Sequence, residues 1–195
     1  MCEPLTGRIV ALEPLEERHR DELAAAAASS PESFAWFTSV LAEPDRFRVW
    51  FDGALAGHDL PFATRDRASG RLVGSSWLMT HVPEHRRIEI GNTWLVSSAW
   101  GGGANTEAKY LQLRHAFERL GVRRVEFKTD AKNGRARAAL AAIPAQFEGV
   151  HRRHMLVRDG ENRDSAWYSV VDAEWPDVRA ALERRLQARA EPQAS

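Results

Sequence analysis

The sequence predicts an α/β fold built on a mixed sheet with helices on its faces. Three observations predict it. Hairpin-forming strands fill much of the first half of the chain, and the second half runs strand, glycine loop, helix, strand, helix. The loop itself, Trp100-Gly101-Gly102-Gly103-Ala104-Asn105-Thr106, excludes the Rossmann fingerprint, which needs glycine where Thr106 stands, and the Walker loop, whose Gly-Lys pair Lys109 does not supply.

Residues 8–15 alternate as a strand until Pro14 ends it. A helix follows over about 16–28, where five consecutive alanines are good helix formers, and Ser29-Ser30-Pro31 stops it. Over 32–57 the apolar residues, Phe34, Trp36, Phe37 and Phe47 among them, recur at mixed helical spacings broken by Pro44, which predicts two short helices. Residues 61–67 and 71–79 flank Ala68-Ser69-Gly70 and read as a hairpin. Residues 87–96 are the next strand. Alternation places Ile88, Ile90, Asn92 and Trp94 on one face and Glu89, Gly91, Thr93 and Leu95 on the other.

A helix begins near Asn105, with Leu113, Ala116, Phe117 and Leu120 at helical spacing and Gly121 as its stop. Residues 124–130 alternate as a strand with Val125, Phe127 and Thr129 on one face, and 133–143 are helical. Strands over 147–157 and 165–171 are joined around Asp159-Gly160. An amphipathic helix closes the chain over about 174–188, and 189–195 are expected to be disordered. With no internal repeat or low-complexity linker, one domain over 1–195 is expected.

A chain of 195 residues with 44% hydrophobic content can bury a sizeable core without disulfides or metals. Lys plus Arg and Asp plus Glu each number 27, so nothing in the net charge draws the protein to nucleic acid or an anionic membrane. The single Cys2 has no partner for a disulfide or a metal site, and no HExxH or Cys/His cluster occurs, so no metal is expected. Without a spanning apolar run or a signal-peptide pattern, a cytoplasmic location is the default.

The glycine triplet lets the backbone turn with positive φ and brings N–H groups close to a ligand, while the helix start adds partial positive charge. Phosphate oxygens suit such a site; a sharp corner with no ligand is the alternative. The loop resembles the pyrophosphate loop of the GNAT superfamily of acyl-CoA-dependent N-acetyltransferases, Gln/Arg-x-x-Gly-x-Gly/Ala, with Gly103 at the required glycine. Trp100 and Asn105 depart from that pattern. The continuation Asn105-Thr106-Glu107-Ala108-Lys109, with Phe147-Glu148-Gly149-Val150 and Trp167-Tyr168-Ser169, resembles the Rim-type branch, which includes ribosomal-protein N-terminal acetyltransferases.

The resemblance implies a mostly antiparallel sheet with a V-shaped splay between the strand over 87–96 and the one over 124–130, into which pantetheine inserts. It implies acetyl-CoA as cosubstrate, with Gly101, Gly102, Gly103, Ala104, Asn105 and Thr106 holding the pyrophosphate. Backbone groups of Trp94, Leu95 and Val96, and Asn133, would contact the pantetheine arm, although Asn133 equally suits a helix cap. Glu89, 11 residues before Trp100, occupies the position of a catalytic glutamate, and partial burial between Ile88 and Ile90 would raise its pKa toward that of a useful base.

The usual acids are missing, since Ala136 and Leu140 stand where the family has serine or tyrosine; Tyr168, Ser169 or water is left to protonate the thiolate. Trp36, Phe37 and Trp77 would suit the wall of an acceptor cleft, though core is their simpler role. His151 and His154, at odd spacing, are expected on opposite strand faces. The acceptor implied is a primary amine, on a protein N-terminus or a small molecule, and a homodimer is suggested only by analogy. A non-catalytic acyl-CoA sensor and an interaction protein are the rival readings.

Overall fold

The computed structural model describes residues 3–189; Cys2 and the expected disordered tail beyond Arg189 lie outside the described residues. Its centre is an eight-stranded sheet of β1 (Leu5–Thr6), β2 (Val10–Pro14), β3 (Leu60–Asp66), β4 (Leu72–Val82), β5 (Arg87–Leu95), β6 (Arg124–Asp130), β7 (Gln146–Val157) and β8 (Glu161–Val171). The strand order is β1-β2-β3-β4-β5-β6-β8-β7, and every neighbouring pair is antiparallel except β5 and β6. The helices are α1 (Arg20–Ala28), α2 (Pro44–Ala56), α3 (Ala104–Arg114), α4 (Gly134–Ala141) and α5 (Trp175–Ala188). No described helix is long and apolar enough to cross a membrane.

Two clusters of buried apolar side chains show how the layers divide. Leu111 of α3, Leu140 of α4 and Leu182 of α5 pack with Val10, Ile88 and Phe127 on one face of the sheet. Leu23 of α1 and Phe47 and Phe51 of α2 pack with Phe34, Trp77 and Trp94 on the other. The two short helices expected over 32–57 become a single 3-10 turn, Pro31–Phe34, and the 13-residue α2. Pro44 begins α2 instead of breaking it, because a first-turn proline lacks only an N–H that no helical carbonyl would have accepted. Helix α3 relaxes into a π-helical turn over His115–Arg119, where Leu120 N donates to His115 O at 3.0 Å.

The β5–β6 pairing positions the site. Register between them runs only from Arg87↔Arg124 to Glu89↔Glu126. Beyond that row β6 continues against β8, and β5 runs on to Leu95 against β4 alone, which opens a wedge in the sheet.

Two bulges change which side chains share a face. Between Ser75↔Trp94 and Trp77↔Gly91, β5 spends one residue more than β4, and Asn92 takes φ 45°. Alternation therefore restarts, and the expected face assignment of this strand is corrected: Leu95 joins Ile88 and Ile90 beneath α3, while Trp94 packs beneath α1 and α2 with Val96. On β7, a second irregularity between His151↔Ser165 and Met155↔Arg163 includes Arg153 at φ 52°. It brings His151 and His154 to one face, rings 5.6 Å apart and both against Trp167, which overturns the opposite-face expectation.

Candidate active site

The glycine loop forms the wide end of the wedge. Gly103 is the N-cap of α3 at φ 94°, and a β-carbon there would come within 2.9 Å of Ile9 Cδ1, so this corner needs glycine. A β-carbon on Gly101 would meet nothing within 4 Å, and one on Gly102 only Ala99 O at 3.8 Å. The loop thus leaves open space in front of the α3 N-terminus, followed at the start of the helix by Ala104, Asn105 and Thr106. Trp100, the departure from the family pattern, donates from Nε1 to Leu95 O at 2.9 Å. The Arg135 guanidinium lies 3.4 Å over its ring and adds a cation beside the cradle. Leu95 O also accepts from Ser33 Oγ at 2.8 Å, so that carbonyl is already engaged.

Asn133 caps α4, its Oδ1 accepting from Ala136 N at 3.0 Å. Leu140 is buried in the apolar core and Ala136 lies in the first turn of α4.

On the α1/α2 face of the wedge, Glu89 is 2% exposed and accepts from Lys128 Nζ at 2.8 Å. Burial raises its pKa, and the lysine partly offsets the rise. Lys128 in turn approaches the Trp167 ring at 5.4 Å. Below Glu89, toward the narrow end, Glu126 accepts from Arg87 at 3.0 Å and Arg124 at 2.8 Å, and Ser169 Oγ donates to Glu148 at 2.8 Å. A cleft of about 320 Å³ opens here, lined by these ion pairs, His151 and Trp167. His154 Nδ1 pairs with Ser165 Oγ at 3.0 Å, and burial, followed by the charge on Lys128, holds its imidazole below the usual value.

Glu89 and Tyr168 are not brought together. Phe127↔Tyr168 is one residue out of phase with the row Glu89↔Glu126↔Ser169, so the phenol lies across the sheet, buried on the α3/α4 face. Its oxygen accepts from Arg137 Nε at 3.0 Å.

Of the aromatic residues considered for a cleft, Trp77 is core: it is 7% exposed, donates to Ser75 Oγ at 3.0 Å and packs on Trp50. Phe37 packs edge-on to Phe34 at the margin of the same core, and only Trp36, 37% exposed, faces outward. Arg158 holds this segment against the β7–β8 turn, donating to Phe37 O at 3.0 Å and, from its backbone, to Thr38 O at 3.2 Å.

Sequence reasoning missed Lys128, Arg163 and Lys109 as parts of this region. Lys128 alternates with Glu126, but only the β5–β6 register places it beside Glu89. Lys109, pushed down to about 7 by burial, donates to Ser76 Oγ at 2.8 Å and Thr93 Oγ1 at 2.5 Å, next to the β5 bulge.

The comparisons with known proteins agree with this geometry. A family model described as an acetyltransferase (GNAT) domain matches residues 10–145. A GCN5-related N-acetyltransferase from Brucella melitensis is 37% identical, with a TM-score of 0.87 over 93% of this chain and 84% of that one. A protein from T. thermophilus classed as an acetyltransferase is 38% identical, with a TM-score of 0.86 over 95% of this chain and 98% of that one. The ribosomal-protein-S5-alanine acetyltransferase of Vibrio fischeri is 14% identical, with a TM-score of 0.74 over 89% and 99%, and so shares the fold. No curated protein matches in sequence. On the family match over most of its length, and on these structural relatives, the chain belongs to the GNAT acetyltransferases and is an acyltransferase of that family.

Proposed function

We propose that the protein transfers the acetyl group of acetyl-CoA to a primary amine by direct attack of the amine on the thioester. The wedge between β5 and β6, with open glycine amides at its wide end and a buried, pKa-raised carboxylate on its wall, is the observation that carries this reading. Coenzyme A supplies an acyl thioester, a pyrophosphate and an amide-rich arm. The amides of residues 101–106 suit the pyrophosphate, and Arg135 adds positive charge beside them. Trp94, Leu95 and Val96 line the arm; the Leu95 carbonyl is occupied by Ser33 and Trp100, the Val96 amide donates to Val73 O at 2.8 Å and the Val96 carbonyl accepts from Ala99 N at 3.0 Å, so the arm would be served by other backbone groups of this edge. Asn133 spends Oδ1 on its cap and keeps its amide donors for pantetheine.

Glu89 takes the proton that the amine loses as it forms the new bond. Tyr168 accepts from Arg137, which leaves its O–H free to donate to the departing sulfur. Base and acid on opposite faces suit a transfer through the wedge, with the amine entering from the α1/α2 side and the thiol leaving on the α3/α4 side. The acceptor is a small-molecule amine or a protein N-terminus of the kind used by the Rim-type branch.

Calorimetric titration with acetyl-CoA, followed by thiol release with a panel of amines, tests this. Binding with amine-dependent release supports it, binding without release favours an acyl-CoA sensor, and absence of binding removes the pyrophosphate reading. The β-carbon of Gly102→Val would come no closer than 3.8 Å to the Ala99 carbonyl in the ligand-free fold, an ordinary contact, but the side chain fills the cradle. It is expected to weaken acetyl-CoA affinity at least about 10-fold, the size of one lost charge-assisted contact, with the melting midpoint unchanged. Lys128→Met removes the contact that offsets Glu89's raised pKa. Because the base acts deprotonated, the acid limb of kcat/KM is expected to move to higher pH; a limb that stays put or moves down would separate Lys128 from the base.

A further inference from the structure

Among the described residues, Arg163 on β8 is a buried arginine whose side chain has no hydrogen-bond or ion-pair partner. It is 7% exposed, its Nε meets no hydrogen-bond acceptor, and it forms no ion pair among the described residues. Its neighbours differ: Lys128 pairs with Glu89 at 2.8 Å, and Arg158 lies 3.5 Å from Asp130 and 3.1 Å from Glu161. A guanidinium has five N–H donors and stays charged, so burying it unpaired is costly and calls for an anion. Burial holds its pKa below the usual value, and the nearby charges of Asp130, Arg158 and Glu89 act on it only at a distance.

Its direction follows from β8, where residues 163, 165, 167 and 169 share a face. The β6 register puts Ser165 opposite Asp130, Trp167 opposite Lys128 and Ser169 opposite Glu126, so Arg163 lies on the face that carries Glu89. The segment at Phe37 and Thr38, held by Arg158, bounds the same face. The unmet donors therefore belong to the side from which the amine would approach.

We propose that the amine acceptor carries a carboxylate and that Arg163 binds it while the amino group is presented to Glu89. This rests on the acyl-transfer reading above. A guanidinium matches a carboxylate through two parallel hydrogen bonds. The carboxylates of Asp130 and Glu89 also act on Arg163 and would repel a phosphate dianion more than a monoanion. A neutral amine would leave the buried charge unanswered in the complex as well.

The test uses matched acceptors: L-amino acids against their α-amides, and Ala-Glu-amide against Ala-Gln-amide. The two arms separate an α-carboxylate from a more remote one. Thiol release is followed for wild type, Arg163→Lys and Arg163→Met. At least one acid is expected to exceed its neutral match roughly 10- to 100-fold in kcat/KM, the scale of a charge-assisted contact. Arg163→Met should bring that ratio near one through KM with kcat little changed, and Arg163→Lys should keep part of it. Acetyl-CoA affinity by calorimetry should be equal in all three, and the melting midpoint of ligand-free Arg163→Met should not fall.

A ratio that survives in Arg163→Met, a preference for the neutral members, or no turnover of any acid by protein that binds acetyl-CoA would overturn the proposal. A lower midpoint in Arg163→Met would also overturn it, by giving the guanidinium a structural partner. Failure of the wild type to bind acetyl-CoA would instead overturn the reading beneath it.

Discussion

Replacing Glu89 by glutamine is expected to lower kcat/KM for amine acetylation by about 10²- to 10⁴-fold, the range of a lost general base, with acetyl-CoA affinity unchanged. The carboxylate is almost wholly buried and its pKa is raised by that burial, which moves it toward the range where a base can take a proton from an ammonium. Glutamine keeps the shape and can still accept from Lys128, so the fold should survive. The raised pKa also sets the sign of the pH profile. Wild-type activity should rise with pH through a limb above the ordinary carboxylate range, and that limb should vanish in Glu89→Gln. Steady-state thiol release from about pH 5 to 9, a span that covers a raised carboxylate and an unperturbed α-amine, reads both effects. Unchanged turnover with an unchanged limb would remove Glu89 from the mechanism.

Glu107→Ala is expected to destabilise the protein by about 3–5 kcal/mol, the upper range for a single buried substitution. This carboxylate, in the first turn of α3, accepts from three consecutive backbone amides: Arg8 N at 2.9 Å, Ile9 N at 2.6 Å and Val10 N at 2.7 Å. Alanine would strand those donors. At position 7 a β-carbon would lie 2.3 Å from Glu107 Cδ, so Gly7→Ala should disturb the same tether. Because Ile9 backs onto Gly103, loosening this turn should also weaken acetyl-CoA binding, which ties a stability defect to the cradle. Urea unfolding checks the magnitude; a loss under about 1 kcal/mol would mean that water replaces the carboxylate without penalty.

The order of elements was legible because apolar periodicity and turn residues are local. Residues 124–130 alternate as observed in β6, Asp159-Gly160 turns the β7–β8 hairpin, and the glycine triplet opens α3. The glycine loop stands out by its three consecutive glycines, whereas Glu89 is singled out only by the 11-residue interval to Trp100 that the resemblance to the GNAT superfamily supplies.

Near neighbours in the chain were enough to specify most of the elements and the positive-φ glycine corner that opens α3. Which groups meet was settled by long-range pairing. One extra residue at Asn92 reverses the side-chain parity of β5, and the irregularity near Arg153 brings two histidines onto one ring. The register of β5, β6 and β8 places Lys128 beside Glu89, puts Tyr168 across the sheet, and leaves Arg163 buried without an anion. Alternation carries side-chain phase only as far as the next bulge, and the pairing of β5, β6 and β8 joins residues 35 to 47 positions apart, so no local pattern could have shown these meetings.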